Sequence, residues 1–162
     1  MRGQLVGAVL MLALSSSGGI ANENSIVGTW KIQSLVREVI ATGERLNELG
    51  DKPSGYISYQ PDGRMFVVLV GDNRAKPAAS APTDEEKAKL FGTLVAYSGT
   101  YVVEGAKVTH KIDVSWNQSW TGGEQVRFFK VDSRTLTITT AINKNPRDGR
   151  EGRAIVVFTR EP

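Results

Sequence analysis

The chain strings short β-branched and aromatic runs between tight polar turns, and that succession restricts its fold more than any other feature. GYISYQ, residues 55–60, is followed by PDGR and then by MFVVLV, 65–70. An Asp-Gly pair between two such runs is a strong hairpin signal. YSGTYVV, 97–103, leads through Glu104-Gly105 into KVTHKIDV, 107–114. QVRFFKV, 125–131, leads through Asp132-Ser133-Arg134 into TLTITTAI, 135–142, and RAIVVFTR, 153–160, closes the chain. Together with SIVGTWKIQSLVREV at 25–39, these runs predict about eight strands joined largely by tight turns. No strand alternates with a helix, so a parallel sheet is disfavoured and an all-β antiparallel fold is expected. A sheet of that size must dispose of its edges. Closing into an eight-stranded antiparallel barrel does so most simply; a two-sheet sandwich is the other arrangement that fits. An eight-stranded barrel has room for packed side chains or for one small ligand.

One segment breaks the pattern. TDEEKAKLFGTLVAY, 83–97, reads as a short amphipathic helix. Thr83 and Glu86 form a capping box, and Asp84, Glu85 and Glu86 suit the positive end of the helix dipole. Ala88, Phe91, Leu94 and Val95 fall on one face, which predicts burial against the outside of the sheet or across its open end. GDNRAKPAASAP before it reads as a flexible lead-in, and ATGERLNELGDKPS, 41–54, as a long polar connection.

The first residues form a separate unit. Arg2 precedes the apolar LVGAVLMLAL, 5–14, and SSSGGIA follows with Gly19 and Ala21 at small positions. This is the pattern of a cleaved signal peptide over 1–21. The apolar run is shorter than the roughly 20 residues a bilayer span needs, so no stable membrane anchor is expected after cleavage. The expected product is one domain over 22–162, exported to a periplasm or secreted. A chain of that size buries enough surface to fold without disulfides, and the sequence has no cysteine. That excludes a thioether lipid anchor, cysteine nucleophiles, cysteine zinc sites and iron–sulfur clusters. The formal net charge is +3 with basic and acidic residues interleaved, so no nucleic-acid partner is expected. No Walker loop, Gly-x-Ser-x-Gly elbow or HExxH is present, and no cofactor or metal is expected.

The chain resembles the bacterial and fungal lipocalin-like domain family, a calycin-type barrel. The resemblance is carried by GTWKI at 28–32, GYISYQPDGRMFVVL at 55–69, and AYSGTYVVEGAKVTHKIDVSWNQSWTGGEQVRFFKVDSRTLTITT at 96–140. It implies an antiparallel barrel with an internal cavity. It does not imply one function, since such barrels carry apolar molecules and some relatives isomerise or cyclise them. Many members have a second histidine beside the first; here that place is Lys111, which counts against two-histidine chemistry. The resemblance also implies that Trp30 closes one end of the barrel and that Arg160, near the end of the last strand, stacks on it. Gly28, Trp30 and Arg160 are therefore structural.

The candidate site lies around VTHKIDVSWNQSW, 108–120, which holds the one histidine and two of the three tryptophans. Side chains alternate faces along a strand. Val108, His110, Ile112 and Val114 share one face, and Thr109, Lys111 and Asp113 share a face suited to water. An inward His110 is either a neutral core residue bonded to a neighbouring Tyr, Ser or backbone group, a ligand contact, or a general acid or base. A catalytic zinc needs about three protein ligands, and there is no second histidine. Trp116 and Trp120 lie in a loop marked by Gly122-Gly123, where they either roof the barrel mouth or pack outside it. In 125–131, Gln125, Arg127 and Phe129 share a face. If that face points inward, Arg127 is a cation that can hold a ligand carboxylate; if it points outward, Arg127 snorkels at the surface. Tyr56, Tyr59, Tyr97 and Tyr101 supply hydroxyls. The candidate ligand-binding set is thus His110, Arg127, Trp116, Trp120, Tyr101 and Phe129. The expected partner is a small hydrophobic or amphipathic molecule. An isomerase or cyclase working in the same cavity, and a solid-core interaction module, are the competing readings.

Overall fold

The computed structural model describes residues 26–72, 74–145 and 148–162. The leader over 1–21 and the start of the domain at 22 lie outside the described residues.

The strands are β1 (Gly28–Val39), β2 (Arg45–Asn47), β3 (Ser54–Tyr59), β4 (Arg64–Val70), β5 (Leu94–Glu104), β6 (Lys107–Ser115), β7 (Glu124–Asp132), β8 (Thr135–Thr140), β9 (Asn143–Lys144) and β10 (Glu151–Arg160). The sheet order is β2-β1-β3-β4-β5-β6-β7-β8-β10-β9, and β1 pairs again with β10. That last pairing closes an eight-stranded antiparallel barrel. The two short strands are extensions at one rim. β2 covers the edge of β1 at Val36–Glu38 beyond the stretch paired with β3, and β9 does the same for β10 at Glu151–Gly152.

The two ends of the barrel differ. At one end the connections are tight: 60–63, 105–106 and 133–134. The Asp62-Gly63 turn is stapled by Gln60 N donating to Arg64 O at 2.8 Å and by Asp62 Oδ1 accepting from Arg64 N at 2.9 Å. Trp30, Tyr59, Met65, Val108, Leu136 and Phe158 fill that end and are almost wholly buried. At the other end lie the long connections, including the helix and the tryptophan loop. The core is therefore a plug at the closed end, and the space it leaves opens toward the long loops.

Two β-bulges decide which side chains face in. On β1 the register against β10 slips between Ile32 and Ser34. Trp30 and Ile32 face inward before it, and Arg37 and Val39 are the buried residues after it. On β6 the register against β5 slips at Ser98/Gly99, because Ser98 pairs with Val114 and Gly99 with Ile112. Asp113 is the extra residue. Val108, His110 and Ile112 point inward as expected, but Val114 does not: it is 64 % exposed on the outer face.

The helix α1 (Asp84–Gly92) is shorter than 83–97. The capping box forms as expected, with Thr83 Oγ1 accepting from Glu86 N at 3.2 Å and a Glu86 carboxylate oxygen accepting from Thr83 N at 2.8 Å. Leu94–Tyr97 belong instead to β5, where they pair with β4 from Val67 to Val70. Leu94 and Val95 suit a strand and gain a full ladder there, whereas Gly92 and Thr93 are poor helix formers. The predicted apolar face is thus split between two elements, and α1 buries no residue fully. Arg74, in the lead-in, donates to Leu90 O at 3.1 Å and Thr93 O at 2.9 Å. A cation there adds a donor to the carbonyls at the end of the helix and meets the negative end of its dipole.

Candidate functional site

A cavity of about 730 Å³ occupies the open half of the barrel. Its wall is largely aliphatic and aromatic, from Leu35, Ile57, Val67, Leu69, Val95, Ile138, Val156 and Phe158. Each of these comes from the inward-facing alternate positions of its strand. That volume lies within the range of small-molecule sites, about 300–1,000 Å³.

His110 sits at the inner edge of this space. It stands on β6 opposite Tyr101 of β5 and Gln125 of β7, and it is 1 % exposed. Tyr59 Oη lies 2.8 Å from its Nε2, and Tyr97 Oη lies 3.0 Å from its Nδ1. Burial, and then the nearby Arg127 charge, lower its pKa from 6.5 to about 3, so the ring is neutral at physiological pH. Burial also raises both tyrosines, Tyr59 well above its ordinary value with a smaller contribution from Tyr97. The three groups form a neutral hydrogen-bonded chain.

Arg127 faces inward with Gln125, Phe129 and Val131, which settles the register of β7. Its Nη1 donates to Val126 O at 2.9 Å, and its Nη2 donates to Gln125 Oε1. Among the described residues it forms no ion pair with a carboxylate.

The aromatic loop lies at the mouth. A 3-10 turn over Gln118–Trp120 starts at Asn117, whose Oδ1 accepts from Ser119 N at 3.2 Å. It turns Trp120 edge-on to Tyr97, with centroids 5.8 Å apart, and edge-on to Trp116 at 4.8 Å. Phe91 of the helix meets Trp116 at 6.2 Å. Both tryptophans line the cavity. Trp116 Nε1 is buried and has no hydrogen-bond partner among the described residues.

Of the six expected site residues, His110, Arg127, Trp116 and Trp120 line the cavity, and Tyr101 and Phe129 do not. Tyr101 packs edge-on against Tyr59 at 4.9 Å and donates to Gln60 O at 2.9 Å, toward the closed end. Phe129 is part of the buried core. Both face inward, but too near the closed end to reach the open space.

Tyr97 and Arg37 are among the cavity residues that the sequence does not single out. In the sequence Tyr97 is one hydroxyl among four; its place beside His110 depends on the β5–β6 register. Arg37 is 6 % exposed, lines the cavity, donates to Arg150 O at 2.5 Å and lies 3.4 Å from Asp148 Oδ2. The only signal for it was the Leu35-x-Arg37-x-Val39 alternation in the second half of β1. No group of three or more His, Asp or Glu that could hold a metal occurs among the described residues. At the closed end, Arg160 stacks over Trp30 as the resemblance implies.

A family model for the lipocalin-like domain matches residues 27–161. No curated protein matches the chain. Similar solved structures include a lipocalin-like protein from Bacteroides uniformis, at 14 % identity and a TM-score of 0.45, with 85 % of this chain and 99 % of that one covered. Another is an uncharacterized protein from Bacteroides eggerthii, at 11 % identity and a TM-score of 0.42, with 84 % and 99 % covered.

Proposed function

This chain belongs to the lipocalin-like domain family, and on that premise we propose that it binds a small hydrophobic or amphipathic molecule inside the barrel. The observation that carries this is the cavity of about 730 Å³, walled by apolar side chains and opening beside an aromatic loop. A solid-core interaction module would need a filled interior instead. The proton-transfer reading has less support. Both nitrogens of His110 are engaged by tyrosines, and the ring is too weakly basic to take a substrate proton near neutrality. The leader, with Arg2 before an apolar run and small residues after it, supports export to a periplasm or the medium.

The test is thermal unfolding of the chain from residue 22, with fatty acids, retinoids, polyketides and terpenoids. A ligand at a hundred times its dissociation constant adds about 2.7 kcal/mol of stability, a rise of several degrees for a domain of this size. Trp120 supplies a second readout, since a ligand beside it changes its fluorescence. No shift by either measure across the panel, at concentrations up to ligand solubility, would reject the proposal. An isomerase or cyclase would instead reveal itself by product formation.

A further inference from the structure

We infer that Tyr97 presents its hydroxyl proton to the cavity and, together with the Arg127 guanidinium, selects apolar ligands that carry a carboxylate. The inference rests on the binding function proposed above and names the polar group of the ligand.

The argument starts at the closed end. Tyr59 is 0 % exposed, and among the described residues its hydroxyl has one hydrogen-bond partner, His110 Nε2. If Tyr59 accepted from that nitrogen, its own proton would be buried and unpaired, which is costly. Tyr59 therefore donates, and Nε2 is the acceptor. A neutral imidazole carries one proton, so that proton is on Nδ1. Nδ1 then donates to Tyr97 Oη across 3.0 Å. Tyr97 accepts from His110 in this bond, so its own proton must point elsewhere. Tyr97 lines the cavity, and its hydroxyl has no other protein partner among the described residues. The chain of hydrogen bonds has a direction: it begins at a buried donor and ends in a donor facing the ligand space.

The neighbouring Arg127 has the same sense. Arg127 lines the cavity, can only donate, and has no carboxylate paired with it. Its charge acts on both His110 and Tyr97. A neutral ligand oxygen would satisfy Tyr97 but bring no opposite charge to the guanidinium. A carboxylate meets both requirements, because it accepts several hydrogen bonds and neutralises the charge.

Two measurements test this. Ring nitrogen-15 NMR of the one histidine needs no ligand and no variant; it should report the Nδ1–H tautomer, and the Nε2–H tautomer would overturn the assignment. The second compares decanoic acid with methyl decanoate by tryptophan fluorescence titration. The acid should bind about ten- to a hundredfold more tightly, the range for a charge-assisted bond. Arg127→Gln should weaken the acid and spare the ester, whereas Tyr97→Phe, which removes a donor to either ligand's oxygen, should weaken both. Equal binding of acid and ester overturns the inference while leaving the binding function standing. Absence of binding by either, with no response to the wider panel, removes both.

Discussion

The Arg160 guanidinium carbon lies 3.9 Å from the centre of the Trp30 ring, and its Nη1 donates to Val27 O at 2.7 Å. Trp30 in turn donates its indole proton to Ile26 O at 2.8 Å. One residue from each end of the chain thus closes the bottom of the barrel and ties the first strand to the last. Arg160→Ala should lose both the cation–π contact and the hydrogen bond, about 1–3 kcal/mol together. Urea denaturation would read this as a lower midpoint with the slope unchanged. Ligand affinity should hold, since the cavity lies at the opposite end; an unchanged midpoint would show the stacking to be inert.

Gly28 belongs to the same device. Its φ is +131°, and a Cβ placed there would lie 2.6 Å from Arg160 Nη1. Gly28→Ala should therefore destabilise through backbone strain and through displacement of the guanidinium, by about 1–3 kcal/mol. The two causes separate in a double-mutant cycle. Adding Arg160→Ala removes the clash but not the strain, so the double variant should be more stable than the sum of the single losses. Strict additivity would mean that the guanidinium moves aside at no cost.

Acid should weaken the fold through His110. Its folded pKa, about 3, lies below its ordinary 6.5, so as pH falls the unfolded chain takes the proton first. The stability associated with the neutral ring is complete above pH 6.5 and drains away between 6.5 and about 3. The slope can reach about 1.4 kcal/mol per pH unit. Carboxylates with lowered pKa values, such as Asp113 and Asp148, add their own losses only at lower pH. The interval from 6.5 to about 4.5 therefore reports His110. His110→Gln should flatten the pH dependence of the urea midpoint across it, and an unaltered slope would refute the assignment.

Gly99 is required by close approach. A Cβ there would lie 1.9 Å from Lys111 O and 2.9 Å from its carbonyl carbon. Both are backbone atoms of the adjoining strand at the β5–β6 bulge, so no side-chain rotation relieves the contact. Gly99→Ala should cost about 3 kcal/mol or more, and it should disturb the Tyr97–His110 register. Loss of cooperative thermal unfolding, or a steep fall in its midpoint, is the expected result. A native-like melt would mean that the strands separate locally at little cost.

Several local rules were legible in the residues. The Asp62-Gly63 turn, the Thr83–Glu86 cap and the inward alternation of Val108, His110 and Ile112 each depend on a few neighbours in the chain. Errors arose where alternation was extended through an irregularity. Val114 falls outside because Asp113 is an inserted residue, and inserted residues leave no mark in a hydrophobic pattern. Leu94 and Val95 fit the apolar face of a longer helix, but pairing with β4 outweighs that local preference and the helix ends at Gly92.

The sequence by itself determined an all-β antiparallel fold: strand-forming runs, tight turns and one capped helix are written in short-range patterns, and removal of the sheet edges favours a barrel over a sandwich. Only the tertiary structure decided what the interior contains. Whether Tyr97 and Tyr59 flank His110, whether Arg127 faces in, and whether Arg37 reaches the cavity all depend on pairing registers and on two bulges, one between the first and last strands of the barrel and one within the β5–β6 hairpin. A shift of one residue reverses every inward and outward assignment beyond it, and for that reason the polar groups of the cavity had to be read from the folded barrel.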